Sequence, residues 1–499
     1  MPDALPVWGV FQPDRDDVTP LQEQIAGFFR RAVAEGRLGP GARLPSSRQL
    51  AEQLGVARNT VSLAYERLAA EGYVEGRRGG GTRVAIDLPD LTPPPVTEQT
   101  MAVAAAPVRL SRAAKVMLTE EVGVSGSDDG PLQPGRPGLD GFPTKIWARL
   151  AGRFWRETPA VAFGYGDPAG HRDLRVALAR YLGAFRGLAV VPDSLIVTSG
   201  AQQAIDLIAR ALLDPGDIAV LEEPCYPGLR GPMAATGARL VTVPVDGEGL
   251  DVTAARTADP TARLVTVTPT HQFPLGVTLS LARRRALVDW AAAEHGPWVV
   301  EDDYDGEFRY AGKPVPPLKA LDGTGRVLYV GTVSKALAPA LRIGYLVAPP
   351  TVVGSLVRLR AHFDRQPALD TQQVLARFLD DGHMASHLRR MRTLYRDRRD
   401  ALADALDAAF ATAGWSDGVV VERPETGINL TVTLPSSASD VSVAAAARRL
   451  GVRPVALSGY YAGRQRTGGL LLGFAALPRA RARWAAEQLR RAIDVTALS

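Results

Sequence analysis

Cysteine is nearly absent from this sequence. Among the 499 residues only Cys225 carries a thiol, so no internal disulfide can form. Secreted chains of this size usually carry paired cysteines, and a single one favours a reducing compartment. The sequence also lacks a charged-then-apolar leader segment and any apolar run long enough to span a bilayer. We therefore predict a cytoplasmic protein without a membrane segment.

Lysine is the second scarce residue. It accounts for only five of the 58 basic residues. The net charge of +5 over so long a chain does not separate a nucleic-acid binder from an ordinary basic enzyme. Chemistry that needs a lysine amine has few candidates, however. They are Lys115, Lys145, Lys313, Lys319 and Lys335.

The chain is too long for one compact core, and three regions of different texture divide it. Residues 13–84 combine short helical patterns with arginine-bearing turns. Residues 85–126 contain consecutive prolines and few large apolar residues, which predicts a linker. Residues 127–499 alternate apolar, β-branched runs with helical patterns. This alternation predicts an α/β domain with strands buried on both faces of a parallel sheet.

The first region predicts a helix-turn-helix. Apolar residues at one-turn spacing favour a helix over Leu21–Ala34. Ser46 and Gln49 form a capping box that starts a second helix, and Gly55 ends it. A third helix begins near Ala57 and opens with polar side chains. Two short helices joined by a turn that contains glycine are typical of DNA-binding helix-turn-helix motifs.

The third helix and the segment after it carry residues suited to DNA. Arg58, Asn59 and Thr60 occupy the first turn, which in this motif reaches base edges in the major groove. Taken alone, they also fit a solvated helix start. Residues 73–84 predict two strands around an arginine-tipped wing, suited to phosphates or the minor groove. Residues 43–83 hold seven arginines against four glutamates, so tight binding is expected to need a second head.

Residues 19–84 resemble the GntR family of bacterial transcription regulators. The Leu-Pro-Ser-Ser-Arg segment and the Arg-Asn-Thr-Val segment of the third helix carry the resemblance. It implies a winged helix-turn-helix domain of α+β class that binds an operator in double-stranded DNA. The DNA contacts that it implies are Arg43, Ser46, Arg48, Arg58, Asn59, Thr60, Arg77 and Thr82.

In the α/β region, Lys335 is the lysine best placed to hold an aldehyde cofactor. The other four lie in the linker, in apparent surface loops near prolines or at the start of a helix. Lys335 follows an apolar strand over residues 327–330, at the strand end where α/β sheets place their ligands. With neighbouring hydroxyls and Arg342 for a phosphate, it forms a coherent set for pyridoxal phosphate (PLP).

Other strand ends carry further candidate residues. Four carboxylates within residues 301–305 fit either a divalent-metal site or an acid paired with a protonated ring nitrogen of PLP. The six histidines have no ligand spacing, which weakens the metal interpretation. A strand turns into a helix at residues 199–201, where backbone N–H groups suit a phosphate. Tyr226 follows another strand and could stack on the ring.

Together these features resemble the fold-type I aminotransferases over residues 131–490. The whole chain resembles the MocR-type regulators, in which a GntR head precedes such a domain. The motifs Thr-Pro-Thr-His-Gln-Phe-Pro (268–274), Glu-Asp-Asp-Tyr-Asp (301–305) and Leu-Gly-Phe-Ala (472–475) carry this resemblance.

This resemblance implies a role for each candidate residue. Lys335 would be the Schiff-base lysine, Asp302 would pair with the ring nitrogen, and Tyr304 would lie near the ring oxygen. The residues implied at the phosphate, the ring face and the pocket wall are Ser199, Gly200, Ala201, Thr332, Arg342, Tyr226, His271 and Gln272.

The sequence departs from the aminotransferases where they bind a substrate carboxylate. Those enzymes use an arginine on a late strand, and the corresponding strand over residues 470–474 has none. Arg464 and Arg466 are nearby, in a glycine-flanked loop. Asn429 stands where many relatives carry histidine. The sequence therefore supports the cofactor better than an amino-acid substrate.

We accordingly predict a transcription regulator whose DNA binding responds to PLP or to an adduct of PLP with an amino compound. The resemblance implies a head-to-tail homodimer whose two heads read two half-sites. PLP as the signal would point to vitamin B6 synthesis genes, and an amine or amino acid to catabolic genes. The weak carboxylate site slightly favours PLP. The alternative is an aminotransferase with an accessory head, although the absent arginine favours residual transaminase activity at most.

Overall fold

The computed structural model describes residues 8, 11–77, 81–87, 109–119, 130–312, 315–413, 418–435, 438–463 and 468–497. They belong to two compact units, Met1–Arg109 and Leu110–Ser499. Among the residues that the structure describes, no helix combines the length and the apolar character needed to cross a membrane.

Helices and strands alternate along most of the chain. The helices are α1 (Leu21–Ala34), α2 (Ser47–Leu54), α3 (Arg58–Ala70), α4 (Arg112–Thr119), α5 (Thr144–Glu157), α6 (Arg172–Arg186), α7 (Ala201–Leu212), α8 (Pro227–Ala235), α9 (Val252–Ala258), α10 (Leu281–Ala292), α11 (Leu318–Leu321), α12 (Pro350–Phe363), α13 (Leu369–Asp380), α14 (His383–Thr412), α15 (Asp440–Arg449) and α16 (Ala482–Ala497). The strands are β1 (Val74–Arg77), β2 (Gly81–Val84), β3 (Leu195–Thr198), β4 (Ile218–Glu223), β5 (Arg239–Asp246), β6 (Gly249–Leu250), β7 (Leu264–Val267), β8 (Trp298–Asp303), β9 (Val327–Thr332), β10 (Gly344–Val347), β11 (Val420–Val421), β12 (Asn429–Thr433), β13 (Val455–Ala456) and β14 (Gly469–Gly473).

The amino-terminal unit is a three-helix domain with a two-stranded wing. The predicted capping box is confirmed, because Ser46 and Gln49 satisfy each other's backbone N–H groups at the start of α2. Gly55 ends α2 in the left-handed region, with φ of 64°. The Tyr65 hydroxyl on α3 donates to the carbonyl of Pro45 at 2.9 Å, which ties α3 to the start of α2. β1 and β2 pair antiparallel to form the wing.

The large unit is built on an eight-stranded sheet in the order β3-β10-β9-β8-β7-β4-β5-β6. The predicted strands are confirmed, and β3, β4, β7, β8 and β9 are buried along their whole length. The sheet is parallel from β9 to β5. β10 runs antiparallel to both of its neighbours. A second, antiparallel sheet has the order β11-β12-β14-β13.

The predicted linker over residues 85–126 contains a helix, which the sequence interpretation did not foresee. Residues 85–87 and 109–119 of it are described, and α4 occupies most of the second stretch. α4 packs against α8 within the large unit. An isolated helix of eight residues is marginal in water, so packing stabilises it more than its own sequence does. The domain limits 13–84 and 127–499 stay predictions.

Candidate functional site

Lys335 lies shortly after β9, at the carboxyl edge of the large sheet. Its side chain is half-buried, and Nζ donates a hydrogen bond to the carbonyl oxygen of Gly135 at 2.6 Å. Gly135 has φ of 73°, and a Cβ at this position would lie 3.3 Å from the lysine Nζ. The backbone of this segment therefore approaches the lysine as closely as only glycine allows.

The surroundings of Lys335 favour its neutral form. Burial lowers the pKa of its amine, and the positive charges of Arg136 and Arg342 lower the pKa further. Asp305 and Asp302 act in the opposite direction. A lysine amine becomes a nucleophile only after it loses its proton, so a lowered pKa prepares Lys335 to react with a carbonyl group.

Asp302 lies near the end of β8, at the same carboxyl edge of the sheet as Lys335. Its side chain is buried, and among the described residues its Oδ1 has no hydrogen-bond partner. Burial raises the pKa of this carboxyl to about 7, with help from the charges of Asp303 and Asp305, while Lys335 lowers it. A buried carboxylate oxygen without a donor is costly, so this atom fits a ligand that brings a positive N–H group.

An anion cradle lies at the start of α7. Gly200 precedes the helix with φ of 93°, and a Cβ there would lie 3.1 Å from the guanidinium of Arg342. Arg342 has φ of 51° and donates to the carbonyl oxygen of Ser199 at 2.6 Å. Helix N-termini and arginine both favour phosphate, and the structure brings both to one place.

Thr332 and Ser334 add hydroxyl groups between this cradle and the lysine. Thr332 Oγ1 lies 2.9 Å from the Ser334 hydroxyl and accepts the backbone N–H of Ser334 at 3.1 Å. Ser334 was not among the predicted site residues. Its position directly before Lys335 was the only signal in the sequence.

Three aromatic or imidazole side chains line the edge between β4, β7 and β8. His271 Nδ1 lies 2.9 Å from Asp305 Oδ2 and 3.0 Å from the Tyr304 hydroxyl. Tyr226 caps α8, and its ring meets Phe273 edge-on with centroids 5.8 Å apart. The charge of Asp302 is among the causes that raise the pKa of Tyr226, which places this ring near the carboxylate.

Gln272 is buried, and its side chain serves its own loop. The amide donates to the carbonyls of Pro224 and Phe273 at 2.7 and 2.8 Å. Its carbonyl accepts the backbone N–H of Leu275 at 3.1 Å. This geometry fits a residue that shapes the loop around His271.

The strand that would bear a carboxylate-binding arginine is apolar. Residues 469–473 form β14, which is buried along its length, and Leu471 is 1% exposed. Arg464 and Arg466 lie outside the described residues. On the neighbouring strand, Asn429 Oδ1 accepts the backbone N–H of Gly135 at 2.7 Å.

The structure also bears on the other candidate lysines and on the alternative of a metal site. Lys319 was interpreted as a surface-loop lysine, which is wrong: it lies in α11, is half-buried and donates to Asp322 and to the carbonyl of Val327. Lys313 lies outside the described residues. Within the described ranges, no group of three or more His, Cys, Asp or Glu side chains could hold a metal ion.

The predicted DNA contacts lie at the start of α2 and just before it, in the first turn of α3, and on the wing of the amino-terminal unit. Arg43, Ser46, Arg48, Arg58 and Asn59 are exposed, and Thr60 and Thr82 are half-buried. Arg77 is in β1, but its side chain and the wing tip at residues 78–80 lie outside the description. The Arg58 guanidinium donates to the hydroxyl of Ser47 at 3.3 Å, so it lies beside the start of α2.

An Asp302→Asn substitution tests whether this carboxylate is a ligand group. The folded pKa of about 7 exceeds the ordinary value of 3.8, so the PLP-free folded chain binds more protons than the unfolded chain between about pH 4 and 7. This group therefore lowers the free energy of unfolding as pH rises through that window. The neutral amide of asparagine does not ionise, so the free energy of unfolding no longer falls through this window. We expect Asp302→Asn to stabilise the PLP-free chain above pH 7 by about 1 to 3 kcal/mol.

Urea denaturation at acid and slightly alkaline pH measures that difference, and a dialysis assay measures PLP affinity. The same substitution is expected to weaken PLP binding, because it removes the carboxylate that is predicted to pair with the ring nitrogen. An Asp302→Asn chain that is less stable than wild type at alkaline pH and binds PLP normally would show that Asp302 is a structural group.

Comparisons with known proteins agree with both halves of this geometry. Residues 21–84 match the family model described as bacterial regulatory proteins, gntR family, and residues 148–487 match aminotransferase class I and II. The chain is 36% identical to the "Probable rhizopine catabolism regulatory protein MocR" of Rhizobium meliloti, over 93% of this chain and 92% of the relative. It is also 36% identical to the "HTH-type pyridoxine biosynthesis transcriptional regulator PdxR" of Corynebacterium glutamicum, over 96% and 97%.

A solved structure resembles the large unit. The kynurenine aminotransferase of Pyrococcus horikoshii, crystallised in complex with PMP, superimposes with a TM-score of 0.68 at 31% identity. The match covers 80% of this chain and 96% of the aminotransferase. A lysine amine with a lowered pKa, a carboxylate with one oxygen unpartnered among the described residues, and an anion cradle are the groups that such a cofactor needs.

Proposed function

Because this chain belongs to the MocR-type branch of the GntR transcription regulators, we propose that PLP, or an adduct of PLP with an amino compound, changes the affinity of its head for operator DNA. The chain is a DNA-binding regulator with a PLP-binding domain of the aminotransferase fold. The observation that carries the proposal is the buried Asp302 Oδ1, which has no partner in the described part of the chain and on whose carboxyl group the charge of Lys335 acts. Since a regulator works where its DNA is, we propose that it acts in the cytoplasm.

PLP supplies an aldehyde, an electron-withdrawing ring and a phosphate when it is bound. We propose that Lys335 anchors it covalently, that Asp302 pairs with the ring nitrogen, and that the Tyr304 hydroxyl, held by His271, serves the ring oxygen. Tyr226 would pack on the ring. The groups for the phosphate would be the Ser199, Gly200 and Ala201 backbone, the Thr332 hydroxyl and the Arg342 guanidinium.

Sensing is a better account of this site than rapid turnover. An aminotransferase needs its substrate carboxylate fixed so that the reacting bonds align, and a misplaced substrate loses orders of magnitude in rate. β14 offers only apolar side chains for that purpose, with Leu471 buried. We therefore propose residual amino-group transfer at most.

A second copy of the chain is part of the proposal. Two heads would engage two half-sites, which compensates for the modest positive charge of one head. The large unit also exposes an aromatic strip: Trp155 and Phe163 stack with centroids 5.7 Å apart and are 60% and 49% exposed. Tyr165 in the same strip is 86% exposed. Such a patch favours burial against a partner, here a second copy in a homodimer.

Fluorescence anisotropy with a labelled DNA from upstream of the gene tests the proposal. The affinity of the wild-type chain is measured without PLP, with PLP, and with PLP plus a panel of amino compounds. Allosteric couplings are typically worth about 1 to 3 kcal/mol, so we expect a change of about fivefold or more. Equal affinities under all of these conditions would rule out sensing, and enzyme-like amino-group transfer would favour the aminotransferase alternative.

A further inference from the structure

The segment that contains Gly135 and Arg136 contacts the amine of Lys335 through the Gly135 backbone. The Gly135 carbonyl accepts the lysine hydrogen bond at 2.6 Å, and Arg136 is the next residue. Burial is the main cause that lowers the pKa of the Lys335 amine, and the charge of Arg136 is among the causes that lower it further. Arg136 is half-buried, so part of its side chain contacts solvent.

Asn429 supplies an unused hydrogen-bond donor at the same place. Its Oδ1 accepts the backbone N–H of Gly135 at 2.7 Å, and because that partner is a donor, the orientation of the amide is fixed. The Nδ2 group then faces away from Gly135. The residue is 2% exposed, and among the described residues Nδ2 has no hydrogen-bond partner. A buried N–H₂ group of this kind needs an acceptor.

The start of β12 belongs to the same pocket. A Cβ at Gly427 would overlap the His271 ring, so this stretch packs against the edge that carries Asp305 and Tyr304. Asn429 is thus close to both the lysine side and the histidine side of the site.

The two arginines that act on Lys335 have different surroundings. Arg342 donates to Ser199 and lies against Gly200, in the phosphate cradle. Arg136 instead follows Gly135, whose backbone hydrogen-bonds to both Lys335 and Asn429. Leu471 leaves β14 without a cation. A positively charged residue and an unused amide donor therefore belong to the segment that contacts the lysine amine, apart from the arginine at Gly200.

We propose that Arg136 and the side-chain amide of Asn429 bind the carboxylate of an amino acid effector, in place of the arginine that aminotransferases carry on the late strand. This inference rests on the proposed function and makes it more specific. The absence of a cation on β14 was the reason to favour PLP alone as the signal. With Arg136 and Asn429 in that role, the signal is an amino compound with an acidic end, acting together with PLP. Its carboxylate is then held at the Gly135 segment and not at the late strand, so the alignment that aminotransferases use for turnover is still absent.

Matched ligand pairs test the proposal without relying on turnover. L-alanine, β-alanine and γ-aminobutyrate are each compared with their own carboxamides, which keep the size and the amine but lose the negative charge. The PLP-loaded dimer is titrated with each compound, and the change in cofactor absorbance gives the half-saturating concentration. Hydrogen bonds to charged groups are worth about 1.5 to 3 kcal/mol, so at least one acid is expected to bind about tenfold or more tightly than its carboxamide.

Two variants locate the preference. Arg136→Gln removes the charge and is expected to reduce the preference to less than about threefold. Asn429→Asp keeps the acceptor for the Gly135 N–H and replaces the free donor by an acceptor oxygen. It is expected to abolish or reverse the preference. Arg136→Lys keeps the charge and should retain part of it. Arg358→Gln, which removes an exposed arginine from α12, is the matched control and should behave as wild type.

Each outcome decides between the two proposals. A preference that persists in Arg136→Gln and Asn429→Asp overturns the present inference. A preference lost only in Arg464→Gln or Arg466→Gln, both outside the described residues, assigns the carboxylate to one of those arginines and also overturns it. If PLP alone changes DNA affinity and no amino acid binds, only this inference fails. If the acids bind through Arg136 but neither they nor PLP alters DNA affinity, the proposed regulatory function fails while the site stands.

Discussion

Lys335→Ala is expected to lower the affinity for PLP by about a hundredfold or more and to remove the effect of PLP on DNA binding. Lys335 places a half-buried amine at the sheet edge, where the charges of Asp302 and Asp305 act on it. Without it, only the predicted contacts to the ring nitrogen and the phosphate would remain. These contacts still attract PLP, but they no longer fix it covalently.

Equilibrium dialysis measures the loss of affinity, and the visible absorbance of the bound cofactor reports whether a covalent bond to lysine forms. Lys145→Ala is the matched control, since Lys145 is exposed in the first turn of α5. It removes a lysine without touching the site and should leave both measurements unchanged. A Lys335→Ala chain that still binds PLP tightly and still responds on DNA would show that the covalent anchor is dispensable for sensing.

The positions of the strand ends explain why the sequence predicted that most of the candidate site residues lie at one edge of the sheet. Ser199 follows β3, Tyr226 follows β4, His271 follows β7, and Lys335 follows β9. Parallel strands bring their carboxyl ends to one edge, and each of these segments had a short apolar run before a polar residue. A local pattern combined with one topological rule thus placed residues that are far apart in the sequence.

The residues that sequence reasoning missed have no such local pattern. Gly135 is separated by 200 positions from Lys335 and by 294 from Asn429, yet it hydrogen-bonds to both. It approaches from a segment that precedes the sheet, so no strand-end rule applies to it. The sequence analysis also did not predict β10, because its antiparallel direction depends on pairing with both β3 and β9.

The sequence predicted the helices of the amino-terminal unit well, because short-range signals define them. A helix cap, a left-handed glycine and apolar spacing each depend on a few neighbouring residues, and α1 has the predicted bounds. Side chains that face solvent carry no comparable signal about their partner. The roles of Arg58 and Asn59 at DNA therefore depend on experiment.

Asn59→Ala and Arg58→Ala are expected to weaken binding to the operator by about 30-fold to 10⁴-fold and to relax base preference. A good bidentate base contact is worth about 1 to 3 kcal/mol, and a dimer loses one such contact in each head. Both side chains are exposed in the first turn of α3, so truncation leaves the helix packed through Val61, Ala64 and Leu68. The loss should therefore appear in DNA binding and not in thermal stability.

Salt dependence separates base readers from phosphate contacts on the same head. Arg48→Ala should reduce the slope of log affinity against log salt by about 0.9 per head, whereas Asn59→Ala should leave the slope unchanged. Arg67→Ala is the matched control, because Arg67 lies in the last turn of α3 and pairs with Glu23 and Glu71. It removes the same charge from the same helix without reaching DNA. If Arg67→Ala weakened specific binding as much as Arg58→Ala does, net charge alone would account for affinity, and α3 would not be the recognition helix.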